Sequence, residues 1–403
     1  MPTLGYDDFK RARRFPALDG IRAIAVLLVM TVHAGAHSDF RPWEIVNGTL
    51  GVTIFFVLSG FLITTLLLRE QESRGRVSLK AFYVRRLMRL APLYYLVLCV
   101  HILLILGTNL PESVERRADL MRKLPLFVFY MSEYAAAGRF QVFGQAWTLG
   151  IEEKFYFAWP SLAFLVLSRN RSRITAALVL AGVLSVFALT DVLQILFSQS
   201  YASLFIGCAL ALLLNERHVF ERVKFLGARS VQTICFTLAF LIQVLPAFSI
   251  VIVKSTSLYA AAMAVVIATA VIGERSIWTV ILGSRVMTYI GQRSYAIYLV
   301  HVLATHVIDK TRIFPPHTTA AAIGAFAATL GLSLLVAEGL YRCIEGPCIR
   351  LGHAWSAALQ NFVPQPAILR PQRLRSLGAH RKNALRPELP ARETSETTAS
   401  MRD

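Results

Sequence analysis

Arg22 and His33 are the first residues whose types and spacing suggest chemistry. They lie eleven positions apart in an almost wholly apolar run ending at His33. On a helix that separation is roughly 16 Å along the axis. A guanidinium can snorkel to a membrane surface. The imidazole cannot, so it must sit inside the bilayer or in a cavity there, where an ionisable group is costly and points to function. An imidazole also takes a proton near neutral pH, as a general base must. The alternative is a packed core histidine bonded to a neighbouring hydroxyl or carbonyl.

Three further clusters carry polar groups into apolar surroundings. The stretch Phe55–Leu62 holds Ser59 and Gly60 mid-run. Two small residues admit either a second helix backbone or a narrow substrate arm. Arg85, Arg86 and Arg89 lie nearly on one helical face, at i,i+4 and i,i+3 spacings. They can clamp phosphates bidentately, or serve only as a basic anchor at the lipid headgroups. The stretch Trp147–Tyr156 contains Glu152 and Glu153, which point about 100° apart on a helix, so one of them faces inward. Glu152 shares its face with Tyr156, making it the expected inward carboxylate. It could orient His33, bind a sugar hydroxyl or stay protonated. The alternative is a surface carboxylate paired with Lys154 or a nearby arginine.

The elements that must hold these groups are membrane helices. The chain has 403 residues, 55% hydrophobic and 16% charged, against about 25% charged in soluble domains. Its mean hydropathy is +0.54. Apolar runs recur along its length without the alternation of a β-barrel. The expected fold is an all-α polytopic membrane protein of about ten spans, near 19–36, 50–68, 91–107, 146–167, 174–191, 195–214, 230–250, 258–273, 286–307 and 318–341. With the N-terminus inside, the inner segments and tail carry 31 Lys and Arg and the outer segments nine. That bias places both termini in the cytoplasm. It also accounts for the net charge of +18 without a nucleic-acid partner.

The apolar stretch Leu124–Tyr130 is too short to span and reads as re-entrant or interfacial. Residues 1–350 form the transmembrane domain, and 351–403 a basic, disordered cytoplasmic tail rich in Pro, Arg, Ser and Thr. The first run has no clean cleavage motif after it and is not a signal peptide. Five cysteines lack metal-site or redox spacing and read as core packing; no metal is expected.

Taken together, the clusters resemble the membrane-bound acyltransferase-3 family, the bacterial integral-membrane O-acyltransferases. Arg22 and His33 match its Arg–ten residues–His pattern. Phe55, Phe56, Ser59, Gly60 and Leu62 match FFxxSGxL. Arg85, Arg86 and Arg89 match RRxxR. Trp147, Leu149, Glu152 and Tyr156 match WSLxxExxxY, with Thr148 keeping a hydroxyl where the pattern has Ser. Ser294–His301 and Glu345-Gly346-Pro347 resemble its later helices.

The resemblance implies a multi-pass protein of the bacterial inner membrane that takes an acyl group, usually acetyl from acetyl-CoA, from the cytoplasmic side. The acceptor would be a hydroxyl on an envelope glycan or glycolipid: lipopolysaccharide O-antigen, exopolysaccharide, a periplasmic glucan or a lipo-oligosaccharide. A separate periplasmic acyl-relay protein is a conceivable partner beside the membrane lipids. His33 and Glu152 would be catalytic. Arg22, Ser59, Gly60, Arg85, Arg86 and Arg89 would hold the donor, and Asp19, Trp147 and Tyr156 the acceptor.

Two other readings compete. A proton-coupled transporter or exporter also uses interior His and Glu, but the chain shows no inverted repeat. A non-catalytic scaffold leaves His33 and Glu152 unexplained.

Overall fold

The computed structural model describes residues 4–12, 14–33, 48, 50–107, 113–135, 142–189, 195–244, 256–273, 276–314 and 318–361. Among them secondary structure is entirely helical. In chain order the α-helices are α1 (Tyr6–Arg11), α2 (Pro16–His33), α3 (Leu50–Arg74), α4 (Leu79–Gly107), α5 (Ser113–Val128), α6 (Trp147–Ser161), α7 (Asn170–Leu189) and α8 (Ile195–Leu214). They continue as α9 (Arg217–Val223), α10 (Arg229–Val244), α11 (Thr256–Ile272), α12 (Ile277–Leu282), α13 (Arg285–Gln292), α14 (Ser294–Thr311), α15 (Thr319–Leu340) and α16 (Gly346–Asn361).

Each of the ten expected segments is helical over most of its described residues. Among the described residues five helical stretches are long and apolar enough to cross a membrane, or six if α8 and the helical turns after it, bent by 100°, count as one broken span. Several runs fall short as single helices for visible reasons. The run near 286–307 is divided at Arg293, and the run near 146–167 passes from α6 into a wide π turn at Leu162–Val166. Large apolar side chains face outward on many helices, among them Leu103, Val179, Ile234 and Leu335. Such a surface suits lipid rather than water.

Two expectations shift. The segment Leu124–Tyr130 is the end of α5 and the turn after it, held against α4 by bonds from the Tyr94 and Tyr95 hydroxyls to the Phe127 and Val128 carbonyls, each 2.8 Å. Helical structure does not stop near 341. The chain continues through a π turn at Tyr341–Glu345 into α16, which packs on α4 and reaches Asn361. The tail expected from 351 is therefore helical as far as 361, and residues 362–403 lie outside the described residues. The cysteines are free. Cys208 is buried as expected, but Cys99 and Cys343 face outward, where their weak polarity is tolerated on an apolar surface.

Close helix contacts set the frame. Gly60 of α3 and Gly207 of α8 meet reciprocally: a Cβ on Gly60 would collide with the Leu204 carbonyl, and one on Gly207 with the Val57 carbonyl. The start of α6 is fastened to α14. Gln145 Nε2 donates to the Leu299 carbonyl at 2.9 Å, Tyr298 OH donates to the Gln145 carbonyl at 2.8 Å, and Thr148 Oγ1 lies 2.8 Å from Tyr298 OH.

Candidate active site

Five of these helices converge on a narrow cavity of about 60 Å³. Helix α2 supplies Arg22, α3 supplies Phe55, Phe56 and Ser59, and α4 supplies Arg86 and Arg89. Glu152 and Tyr156 come from α6, and α14 closes it with Tyr295 and Tyr298. Residues from four separate sequence clusters thus share one site.

Glu152 is the inward carboxylate. Ser59 Oγ donates to Glu152 Oε1 at 2.8 Å, and Tyr156 OH donates to Glu152 Oε2 at 3.0 Å. Both carboxylate oxygens are therefore held, which is what a charge buried away from water requires. The Arg86 guanidinium lies over the Tyr156 ring, 5.1 Å from its centroid. Its charge faces the same corner of the cavity as the carboxylate.

The guanidiniums are arranged differently from the helical wheel of α4. Arg85 turns to the outside of this site, donating to Glu70 at 2.9 Å and to Ser356 of α16 at 2.5 Å. Arg86 and Arg89 instead line the narrow cavity together with Arg22, and none of the three makes a hydrogen bond or ion pair to a protein group among the described residues. Arg22 Nε is fully buried without a partner. Unpaired buried guanidiniums are costly, and an anion entering the cavity would relieve that cost.

A second cavity of about 520 Å³ adjoins this one, and Arg86 and Arg89 belong to the walls of both. Arg69, Arg74, Arg85 and His353 add further basic groups to it, with Glu70 as the one carboxylate in its lining among the described residues. Glu70 is itself occupied, accepting from Arg85, the Ser78 backbone N–H and Gln360. The larger cavity is thus a basic vestibule roofed by α16.

His33 sits elsewhere. From Ser294 to His301, α14 climbs roughly 10 Å away from the narrow cavity, and α2 climbs from Arg22 to His33 beside it. His33 Nδ1 lies 3.2 Å from His301 Nε2 and 3.4 Å from the Val29 carbonyl. Tyr298 lies between the two places: it belongs to the cavity wall, and its ring lies 5.7 Å from that of His301. Contrary to one expectation for Glu152, no hydrogen bond joins it to His33 among the described residues: its oxygens accept from Ser59 and Tyr156, and the His33 ring faces His301 and the Val29 carbonyl.

Three other expected site residues lie off the cavity. Gly60 faces α8, and the close backbone contact leaves no room for a substrate arm. Asp19 pairs with Arg14 at 2.5 Å, on the side toward the N-terminal arm. Trp147 packs edge-on against Phe56, its ring centroid 6.3 Å away, behind the lining. Residues not singled out on their own in the sequence are Tyr295, Tyr298 and His301. Their signal was present in the Ser294–His301 stretch, but no local pattern tells which of its side chains face Arg22 or His33.

The match to known proteins agrees with this constellation. An acyltransferase domain family matches residues 15–338. The chain belongs to the acyltransferase-3 family. Arg22, Ser59, Arg86, Arg89, Glu152, Tyr156 and His301 all fall within the matched span. The chain is 28% identical over 382 residues to a Listeria monocytogenes protein named peptidoglycan O-acetyltransferase OatA, covering 85% of this chain and 58% of that protein. It is 30% identical over 335 residues to a Bacillus subtilis protein named "Putative peptidoglycan O-acetyltransferase", covering 75% and 51%. It is 26% identical over 389 residues to a Staphylococcus aureus (strain MRSA252) protein named "Putative O-acetyltransferase", covering 90% and 62%. The chain thus spans a little over half the length of these curated relatives. No solved structure matches it.

Proposed function

We propose that this chain transfers an acyl group, acetyl from acetyl-CoA in the simplest case, to a hydroxyl of a cell-envelope glycan or glycolipid. The observation that carries the reading is the set of three guanidiniums, Arg22, Arg86 and Arg89, which line a cavity that adjoins a basic vestibule and make no hydrogen bond or ion pair to a protein group among the described residues. The names of the relatives support O-acetylation and add peptidoglycan to the candidate acceptors.

The residues divide the work. Arg86 and Arg89, where the vestibule meets the narrow cavity, hold the donor's phosphates with Arg22 on the cytoplasmic side, the side to which the Lys and Arg bias assigns both termini, while Arg85, already paired with Glu70, contributes less. Arg86 and Arg89, at the junction, draw the anionic donor toward the narrow cavity. Ser59 and Tyr156 keep the Glu152 carboxylate in place, and its charge keeps the guanidinium cluster from repelling itself apart. Bound acyl-CoA supplies a thioester, whose C–S bond breaks as the new ester C–O bond forms. His33 takes the proton from the acceptor hydroxyl as that oxygen attacks, and the proton passes to the departing thiolate. In this reading the enzyme works as a multi-pass protein of the bacterial inner membrane.

Purified full-length protein should release free thiol from acetyl-CoA in the presence of an acceptor, which a transporter or scaffold does not do. His33→Ala should lower that rate at least about 10²-fold while the protein still inserts and folds. A well-folded His33→Ala protein working at the wild-type rate would overturn the assignment. Mass spectrometry of envelope glycans with and without the gene would name the acceptor through lost acetyl increments.

A further inference from the structure

His301 lies outside the cavity and is fully buried on α14. Its ring makes two contacts that together fix where the protons are. Nδ1 lies 2.6 Å from the carbonyl of Tyr298. A carbonyl only accepts, so Nδ1 carries the hydrogen. A neutral imidazole has one N–H, which leaves Nε2 of His301 as a lone pair. That lone pair faces His33 Nδ1 at 3.2 Å. His33 Nδ1 must then donate, and the Val29 carbonyl at 3.4 Å from the same atom demands the same protonation. By elimination the lone pair of a neutral His33 is on Nε2.

The opposite arrangement fails on the same contacts. A doubly protonated His301 would point an N–H at His33 Nδ1 and require that atom to accept. It could not then donate to the Val29 carbonyl it faces. It would also place a cation in a fully buried position with no hydrogen-bonded carboxylate among the described residues. The rings add a geometric constraint, with centroids 4.9 Å apart and planes at 71°. His301 is itself held through Tyr298, whose hydroxyl is tied to Gln145 and Thr148 at the start of α6.

We propose that His301 is a positioning residue that fixes the tautomer and ring plane of His33, holding Nδ1–H inward and presenting Nε2 as the proton acceptor. This rests on the acyl-transfer reading above, in which His33 is the base. It gives His33 the orienting partner that Glu152 does not provide. The partner of a catalytic histidine commonly sets which nitrogen is reactive, and that partner here is a second histidine.

Two measurements test it on the full-length protein. The first is the ¹⁵N spectrum of histidine-labelled protein, with His33 assigned by difference from His33→Gln. The wild type should show His33 protonated on Nδ1 alone, and His301→Ala should give a mixture of tautomers. The second is kinetics with acetyl-CoA. His301→Ala should lower kcat about 10- to 100-fold, part of the roughly 10²–10⁴-fold that general-base catalysis supplies, with the donor KM changed less than about 2-fold. His301→Gln, whose amide oxygen can still accept from His33 Nδ1–H, should recover much of the loss.

Wild-type His33 protonated on Nε2 would overturn the proposal, as would His301→Ala with wild-type kcat. Equal losses in His301→Ala and His301→Gln with unchanged His33 tautomer would also overturn it, since that pattern belongs to packing alone. Should His301→Ala fail to fold, the wild-type spectrum and His301→Gln decide the matter. If His33→Ala remains active, the acyl-transfer reading fails, while the tautomer measurement still stands on its own.

Discussion

Arg85 and Arg89 stand one helical turn apart, yet they face different chemistry. Arg85 is neutralised by Glu70 and bonded to Ser356, whereas Arg89 shares the narrow cavity with Arg22 and Arg86. Charge-assisted hydrogen bonds contribute about 1.5–3 kcal/mol each, so Arg89→Ala or Arg22→Ala should raise the donor KM roughly 10- to 100-fold. Arg85→Ala should raise it less, because it loses a cation already engaged by a carboxylate. Steady-state kinetics against acyl-CoA separates the three, and a larger effect at Arg85 would move donor binding wholly into the vestibule. The two adjacent glutamates divide in the same way. Glu152 accepts from Ser59 and Tyr156, so Glu152→Gln replaces one acceptor oxygen with a donor and removes the charge facing Arg86. It should lower turnover well beyond Glu153→Gln at similar thermal stability in detergent. A larger loss in Glu153→Gln would mean that α6 presents its other face.

At the scale of elements, the site depends on how closely the helices approach. Ser59 reaches Glu152 from α3, and Gly60, one position on, lets α3 lie against the backbone of α8. A methyl at Gly60 has no space, and overpacking of this kind costs about 1–3 kcal/mol. Gly60→Ala should therefore lower the detergent melting temperature and weaken turnover together, since moving α3 displaces Ser59. Gly182 on α7 meets nothing within 4 Å. Gly182→Ala should leave stability equal or slightly higher, by up to about 0.5–1 kcal/mol, because alanine is the better helix former. If both substitutions behave alike, the α3–α8 contact is looser than the geometry states. The same contact explains why Ser59 and Gly60, adjacent in sequence, have different roles: successive residues on a helix point about 100° apart.

At the scale of the whole molecule, α16 is the piece that turns a basic surface into a vestibule. It packs on α4 and brings His353, Ser356 and Gln360 to the walls that Arg85, Arg86 and Arg89 line. Removing residues 346–403 should raise the donor KM several-fold more than removing 362–403, which leaves the described lining residues in place; equal effects would show that α16 does not shape donor binding. Hydropathy by itself determined that the chain is a set of membrane helices, because the need to satisfy the backbone in lipid is local to each apolar run. Residue type and spacing also marked Arg22, His33, Ser59, Arg86, Arg89, Glu152 and Tyr156, since polar groups inside apolar runs stand out whatever the packing. Facing was another matter. A helix apolar on nearly all sides carries little information about which side meets a neighbour, so Gly60 and Trp147 could not be told from lining residues. Only the tertiary structure set His301 beside His33 across 268 positions. It alone separated Arg85 from Arg89 and brought Ser59 to Glu152. Those pairings come from helices meeting at particular depths and rotations, fixed by close backbone approach and by hydrogen bonds between distant segments, and no window of sequence contains both partners.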